Sequence, residues 1–259
     1  MSPPTIYRSC TERFFTTEIV IAVRMPHMDG GAETGLVGVG IYTIPEAARL
    51  ARVPAPSIRR WLYGYHYGYK GHTVEQPAVV ATNDNLRSLR VVTFRDLIEV
   101  QFVHAFREEG VSWKTIRIAA SKARRITRND HPFASREFVT DGSTIFAEIV
   151  QETGNRELLD LKSDQMAFRR VFLPSLRLKM ELGKGGVERL WPLGKHRPIV
   201  IDPRRQFGQP ISRDEGVPTS VLASAYASMR RSVDSVARWY DVSRAAVRAA
   251  VDFEQRLAA

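Results

Sequence analysis

Cysteine is almost missing: Cys10 is the only one in 259 residues. An internal disulfide is therefore excluded and a Cys-rich zinc site is disfavoured. Long apolar runs are missing too. The longest aliphatic stretch near the start, Ile19 to Val23, is far short of the roughly 20 residues that a membrane-spanning helix needs, so no membrane partner is expected. No basic segment followed by an apolar core of secretory length stands near the N-terminus, and export is not expected. Enzyme signatures are equally scarce. His-Glu-x-x-His, Gly-x-Ser-x-Gly and Gly-x-Gly-x-x-Gly do not occur. Gly194-Lys195 is followed by His196 and has Arg189 where a phosphate-binding loop needs glycine. Cys10 lies in a stretch without pattern and makes a poor nucleophile. His27, His66, His72, His104, His131 and His196 form no i, i+4 metal pair. We expect no enzyme, no metal and no cofactor; a nucleic-acid-processing enzyme is kept only as an alternative class.

What is present is positive charge. Thirty-eight Lys and Arg stand against 28 Asp and Glu, a formal charge of +10, which draws polyanions or an acidic protein partner. The excess is clustered. From Trp113 to Arg128 the chain carries Lys114, Arg117, Lys122, Arg124, Arg125 and Arg128 and no acid. At 44% apolar and 25% charged residues the chain is ordinary for a globular protein, and its length suits two or three small domains.

Residues 1–40 carry little pattern and end glycine-rich, which reads as a flexible extension; Met25 and Met28 also allow a later translation start. From Tyr42 the chain becomes regular. Thr43 and Glu46 make a capping box for a helix from Ile44 to Ala51. After a turn at Arg52 and Val53, Ile58, Trp61 and Leu62 fall on one face of a second helix, leaving Arg59 and Arg60 on or beside the open face. Tyr63 to Tyr69, with the β-branched pairs Val79-Val80 and Val91-Val92, then reads as a hairpin-like wing. A helix-turn-helix places its second helix in the major groove while basic side chains and a wing hold the flanking phosphates. The candidate DNA contacts are therefore Ser57, Arg59 and Arg60 on the helix and Tyr63, Tyr65, His66, Tyr67 and Lys70 on the wing. Core packing competes for Trp61 and some of the tyrosines.

Two longer helices follow, Phe94 to Glu109 and Ser112 to Thr127. On the second, Lys114, Arg117, Arg124 and Arg128 recur at helical spacing opposite an apolar stripe, as candidates for phosphate or partner contact; a solvated face is the plain alternative. Residues 131–200 read as an α+β middle region. Asp141-Gly142 between Arg136–Thr140 and Ser143–Val150 has the signature of a β-hairpin, Ser163 to Leu173 reads as a helix, and extended segments centre on Leu178 and Trp191. The C-terminal residues 201–259 are helical from Pro218 to Met229, Val233 to Tyr240 and Arg244 to Leu257. The short Asp241-Val242 connection makes a second helix-turn-helix candidate. Asp234, Asp241, Asp252 and Glu254 lie among Arg244 and Arg248, so this unit suits a protein or a second copy at least as well as DNA.

Tyr42-Thr-Ile-Pro-Glu-Ala-Ala-Arg49 with Ser57-Ile-Arg-Arg-Trp61 resembles the opening of a mercuric-resistance-regulator (MerR-like) winged helix. Ile201-Asp-Pro-Arg-Arg-Gln-Phe-Gly-Gln-Pro210 and Gly216-Val-Pro-Thr219 resemble the small domain found in antitoxins encoded beside PIN-domain toxins. Joined through Val92 to Glu99, Gly110 to Arg117 and His131-Pro-Phe133, they resemble the VapB-type antitoxins that carry both domains, over roughly residues 41 to 259. The match departs from the pattern at Arg52 and Pro54, where the turn usually carries a small residue and a Ser or Thr cap. It departs again at Asp214-Glu215-Gly216-Val217, where the small domain usually reads Gly-Thr-Arg-Ile.

The resemblance implies an α+β, mainly α fold with a MerR-like winged helix-turn-helix at 41–130, the middle region, and a C-terminal winged helix-turn-helix at 201–259. It implies a cytoplasmic repressor that binds operator DNA and neutralises a PIN-domain ribonuclease toxin; a stand-alone regulator without a toxin is the alternative. A PIN nuclease gathers carboxylates around Mg²⁺, so a guanidinium could enter its cleft. Arg204 and Arg205, on a loop bounded by Pro203 and Gly208, are the candidate toxin contacts. A homodimer is expected, because two small heads read a palindrome. No long heptad run follows the head, so its interface should lie in the middle or C-terminal region.

Overall fold

Thr43 starts the first helix as its spacing from Glu46 requires. Its backbone N–H donates to Glu46 Oε2 at 2.7 Å and its Oγ1 accepts from Glu46 N at 3.3 Å, so two donors with no helical partner satisfy each other's residues. The computed structural model describes residues 39–80, 89–140 and 177–258. Strand β1 (Ile41–Tyr42) leads into α1 (Ile44–Ala51) and α2 (Ala55–Tyr63). A hairpin of β2 (Tyr65–Tyr69) and β3 (His72–Gln76) follows. Strand β4 (Val92–Thr93) pairs antiparallel with β1 and opens α3 (Phe94–Glu108), and α4 (Trp113–Thr127) comes next with Ser112 as N-cap.

The second half is built on a four-stranded antiparallel meander, β5 (Met180–Gly183), β6 (Gly186–Leu190), β7 (Ile199–Ile201) and β8 (Pro210–Ser212). Helices α5 (Thr219–Ser228), α6 (Val233–Tyr240) and α7 (Arg244–Ala258) close the chain. Helix accounts for about half of the described residues, so the fold is a mixed helix and sheet one.

Two apolar cores meet at the meander. Phe94, Leu97, Phe102, Phe106, Ile116 and Phe133 fill the first, and Met180, Val187, Leu190 and Ile201 of the sheet belong to it. Leu222, Val236, Val247 and Phe253 fill the second, together with Ile199. Ile199 and Ile201 lie two residues apart on the same face of β7, one in each core. The described residues belong to one compact unit that begins at Gly35, and none of their helices is long and apolar enough to cross a membrane.

The helix expectations that fall on described residues match closely, whereas two hairpin expectations need correction. Residues 136–140 are helical rather than extended. Ser135 Oγ accepts from Phe138 N at 3.1 Å, a helix N-cap bond, and Phe138 and Val139 are buried in the first core. The wing also returns earlier than the sequence suggested. Lys70 and Gly71 both have positive φ, 49° and 81°, the tight turn that matches strand twist, and Tyr69 pairs with His72. Val79 and Val80 are core instead, their N–H groups donating to the Trp61 carbonyl at 2.9 and 3.1 Å. Leu178, expected in an extended segment, sits in a 3₁₀ turn, Arg177–Lys179, that precedes β5. The expected helix from Ser163 to Leu173, residues 143–150 of the expected hairpin, the Asn83-Asp84-Asn85 turn and residues 1–38 of the extension lie outside the described residues.

Candidate nucleic-acid interface

The departure at Arg52 is absorbed by the backbone: Arg52 ends α1 in the left-handed region (φ 56°, ψ 40°) and donates its N–H to Ala48 and Arg49 carbonyls. Val53 is buried behind it. Pro54 caps α2 without a side-chain bond, and its carbonyl takes the N–H groups of Ser57 and Ile58 at 2.8 and 3.2 Å. Ile58, Trp61 and Leu62 turn inward, Trp61 meeting the Trp113 ring edge-on at 5.6 Å between centroids. Arg59 and Arg60 are exposed, and Ser57 is half-buried on the first turn.

Gly64 makes the corner from helix to wing. Its φ is 72°, and a Cβ there would meet the Gln76 carbonyl oxygen at 2.5 Å, so the strand can leave α2 at this angle only with glycine. Strand alternation then places Tyr65, Tyr67 and Tyr69 on one face, opposite Gln76, Val74 and His72, while His66 points to the other face. The tyrosines are 39%, 41% and 57% exposed. The Arg60 guanidinium lies 5.5 Å from the Tyr65 ring centroid, Tyr65 and Tyr67 are 6.0 Å apart, and Lys70 Nζ lies 5.4 Å from the Tyr69 ring. Arg60, Tyr65 and Tyr67 thus form one group, and Lys70 with Tyr69 a second, on the same face of the wing. Cations so placed can meet phosphate, and the rings and hydroxyls offer stacking surface and further hydrogen bonds.

Tyr63 stands apart from both groups. It is half-buried and donates its hydroxyl to the Val91 carbonyl at 3.3 Å, fastening the end of α2 to the start of β4. The α4 stripe also divides. Arg124 donates through Nη2 to the Val79 carbonyl at 2.6 Å and through Nε to the Asp130 carbonyl at 3.2 Å. Arg117 lies 5.7 Å from the Trp113 ring centroid, with its Nε buried and lacking a hydrogen-bond partner. Lys114 and Arg128 remain exposed at the two ends of the helix.

In the C-terminal half, Arg204 Nη2 is 3.4 Å from Glu188 Oε1, and Arg205 Nη1 donates to the Arg213 carbonyl at 2.7 Å. Helix α7 follows α6 as a second helix-turn-helix would. Arg244 Nε is paired with Asp234 at 2.5 Å, and Ser243 N donates to Glu215 at 3.0 Å. Acids therefore sit directly on the face that a phosphate would approach.

A buried polar cluster behind α3 was not foreseen. His131 Nε2 lies 2.8 Å from Asp96 Oδ1, and Ala134 N donates to Glu99 Oε1 at 3.0 Å, while Glu99 Oε2 is buried without a hydrogen-bond partner. Burial pushes the Glu99 carboxyl up to about 7, against the lowering influence of His131 and Arg124. Glutamate inside the apolar run Leu97-Ile98-Glu99-Val100 was the available signal. Among the described residues no group of three or more His, Cys, Asp or Glu is placed to hold a metal ion.

Residues 40–120 match the family model described as "Putative DNA-binding HTH domain". That segment holds α1, α2, the wing, α3 and the first half of α4. Over 194 residues the chain is 26% identical to "Putative antitoxin VapB45" of Mycobacterium tuberculosis (strain ATCC 25618 / H37Rv), covering 69% of this chain and 79% of that protein. The crystal structure of Rv2018 from Mycobacterium tuberculosis superposes with a TM-score of 0.59 at 20% identity, covering 83% of this chain and 99% of that one. The chain therefore shares that protein's fold.

Proposed function

We propose that this chain is a DNA-binding antitoxin: a cytoplasmic repressor that reads its operator through a MerR-like winged head and neutralises a PIN-domain ribonuclease. The observation that carries the DNA half is the exposed face that sets Arg60, Tyr65 and Tyr67 side by side and Lys70 beside Tyr69, with Arg59 exposed on the same helix, inside the segment matched by the helix-turn-helix model. The antitoxin half is supported by the similarity to a mycobacterial protein of that description. In this reading Ser57, Arg59 and Arg60 enter the major groove and the tyrosine face of the wing lies along the backbone. Lys114 and Arg128 add outlying phosphate contacts. The α5 to α7 module, with its acids beside Arg244, faces protein, and Arg204 and Arg205 meet the carboxylates of the nuclease. Two chains act together, each head taking a half-site about 34–36 Å from the other.

Fluorescence anisotropy on the DNA upstream of the chain's own reading frame tests the head. Affinity falls with log salt at a slope of about −0.9 per phosphate neutralised. Arg59→Ala with Arg60→Ala weakens binding and lowers that slope; a footprint identical to the parent's at equal salt would remove the site. Co-expression with the PIN-type protein encoded alongside tests the antitoxin half. Protection from its toxicity supports the reading, and a stable nuclease that stays active in the chain's presence leaves a regulator without a toxin.

A further inference from the structure

Phe207 is the most exposed large hydrophobic side chain among the described residues, at 77%. It sits in the loop between β7 and β8, where Gln206, Phe207 and Gly208 have φ of 46°, 53° and 82°. Two successive residues with a Cβ are thus held in the left-handed region, which sterically disfavours both. A loop that only had to turn would place glycine or asparagine there.

The surroundings hold this conformation firmly. Arg204 N donates to Asp202 Oδ1 at 3.0 Å and Arg205 N to the Asp202 carbonyl at 2.9 Å. Asp202 is in turn held by Arg189 Nε at 2.9 Å. Gly208 N donates to the Arg205 carbonyl at 2.9 Å, and the buried Tyr42 hydroxyl donates to the Gly208 carbonyl at 2.7 Å. Strain that is fixed on every side and spent on pushing an aromatic ring into water belongs with presentation to a partner. The neighbours define the partner's chemistry: Arg204 and Arg205 precede the ring in the same loop, and the whole chain carries +10.

We propose that Phe207 is the anchor of a protein-docking site: it enters an apolar pocket on an acidic protein while Arg204 and Arg205 meet carboxylates at the pocket's rim. The occupant is the PIN-domain nuclease, so this step rests on the antitoxin reading. An exposed, preorganised aromatic loses little entropy on docking and suits a hot spot, with charges at the rim steering the encounter.

The test uses the full chain and the PIN-type protein encoded beside it, with calorimetry for affinity and surface-based kinetics for rates. Phe207→Gly relieves the backbone, so its melting temperature stays at or above the parent's, yet its affinity for the nuclease falls about 30-fold or more. The loss appears in the off-rate, whereas Arg204→Ala with Arg205→Ala lowers the on-rate and its salt dependence. Operator affinity is unchanged by Phe207→Gly. Nuclease binding within twofold of the parent overturns the anchor, and so does loss of operator binding with nuclease binding intact, which makes the ring a DNA wedge. If the parent chain itself fails to bind the nuclease, the antitoxin reading falls and the anchor with it; parent binding that tolerates any residue at 207 sinks the anchor alone.

Discussion

The Tyr42 hydroxyl and the Gly208 carbonyl, 166 residues apart in sequence, share a buried hydrogen bond of 2.7 Å that ties the first strand of the head to the β7–β8 loop. Burial, with the charge of Glu46 nearby, pushes the phenol's pKa well up, so the group stays a donor throughout the physiological range. Tyr42→Phe keeps the ring and leaves the carbonyl without its donor, at a cost of about 1–3 kcal/mol. A melting temperature lower by roughly 2–4 °C per kcal/mol is expected in calorimetry; an unchanged transition would show that the bond contributes nothing.

Gly64→Ala separates the wing from the helices. The new Cβ meets the Gln76 carbonyl, and φ is positive, so β2 must leave α2 at another angle. Ile58, Trp61 and Leu62 stay in the core, and far-ultraviolet circular dichroism should change little. Operator affinity should fall by at least tenfold, because Tyr65 no longer lies beside Arg60.

Arg124 and Arg128 look alike in sequence and differ in structure. Arg124→Ala deprives the Val79 and Asp130 carbonyls of a donor and should destabilise the fold by about 1–3 kcal/mol. Arg128→Ala should leave urea stability within about 0.5 kcal/mol and reduce the salt slope of DNA binding by about one phosphate. The opposite pattern in paired denaturation and anisotropy measurements would reverse these roles.

Glu99 gives stability a pH dependence of defined sign. Its carboxyl titrates near 7 in the fold against 4.5 as the ordinary value, so between these limits the folded chain keeps a proton that the unfolded chain releases. Stability from this group is full below pH 4.5, declines as pH rises through the window, and levels off above about 7. The change is on the order of 3 kcal/mol. Glu99→Gln, which never ionises, should flatten the difference in urea stability between pH 5 and pH 7.5; equal slopes in parent and variant would show that Glu99 is ionised throughout.

Helix starts were legible because their signals are local, as with Thr43 and Glu46 or Ser112 before α4. The wing's return strand was not, because Lys70 is an uncommon residue at positive φ and the β-branched Val79-Val80 offered a stronger strand signal. Those valines went to the core because Trp61 and Arg124 hold their backbone there. At 136–140, Asp141-Gly142 pointed to a hairpin, but the Ser135 cap and the buried ring of Phe138 favour a helix. The exposure of Arg59, Arg60, Tyr65, Tyr67 and Lys70 was readable from the apolar spacing and strand alternation, whereas Tyr63 and Arg124 turned inward to carbonyls that lie 28 and 45 residues away. Sequence spacing cannot show a partner that only the completed fold brings near. Glu99 and the Tyr42 clamp escaped for the same reason.

Strand β7, with Ile199 in one core and Ile201 in the other, makes the two halves share one fate. Neither can melt without uncovering the other, so denaturation should proceed in one step. A protease that nicks the chain beyond β7 and strips away the tail removes every other buried residue of the second core and leaves Ile199 without its cover. Trimming from the C-terminus is therefore felt at Ile199 and passed two residues along the same strand to Ile201, on which the other core leans.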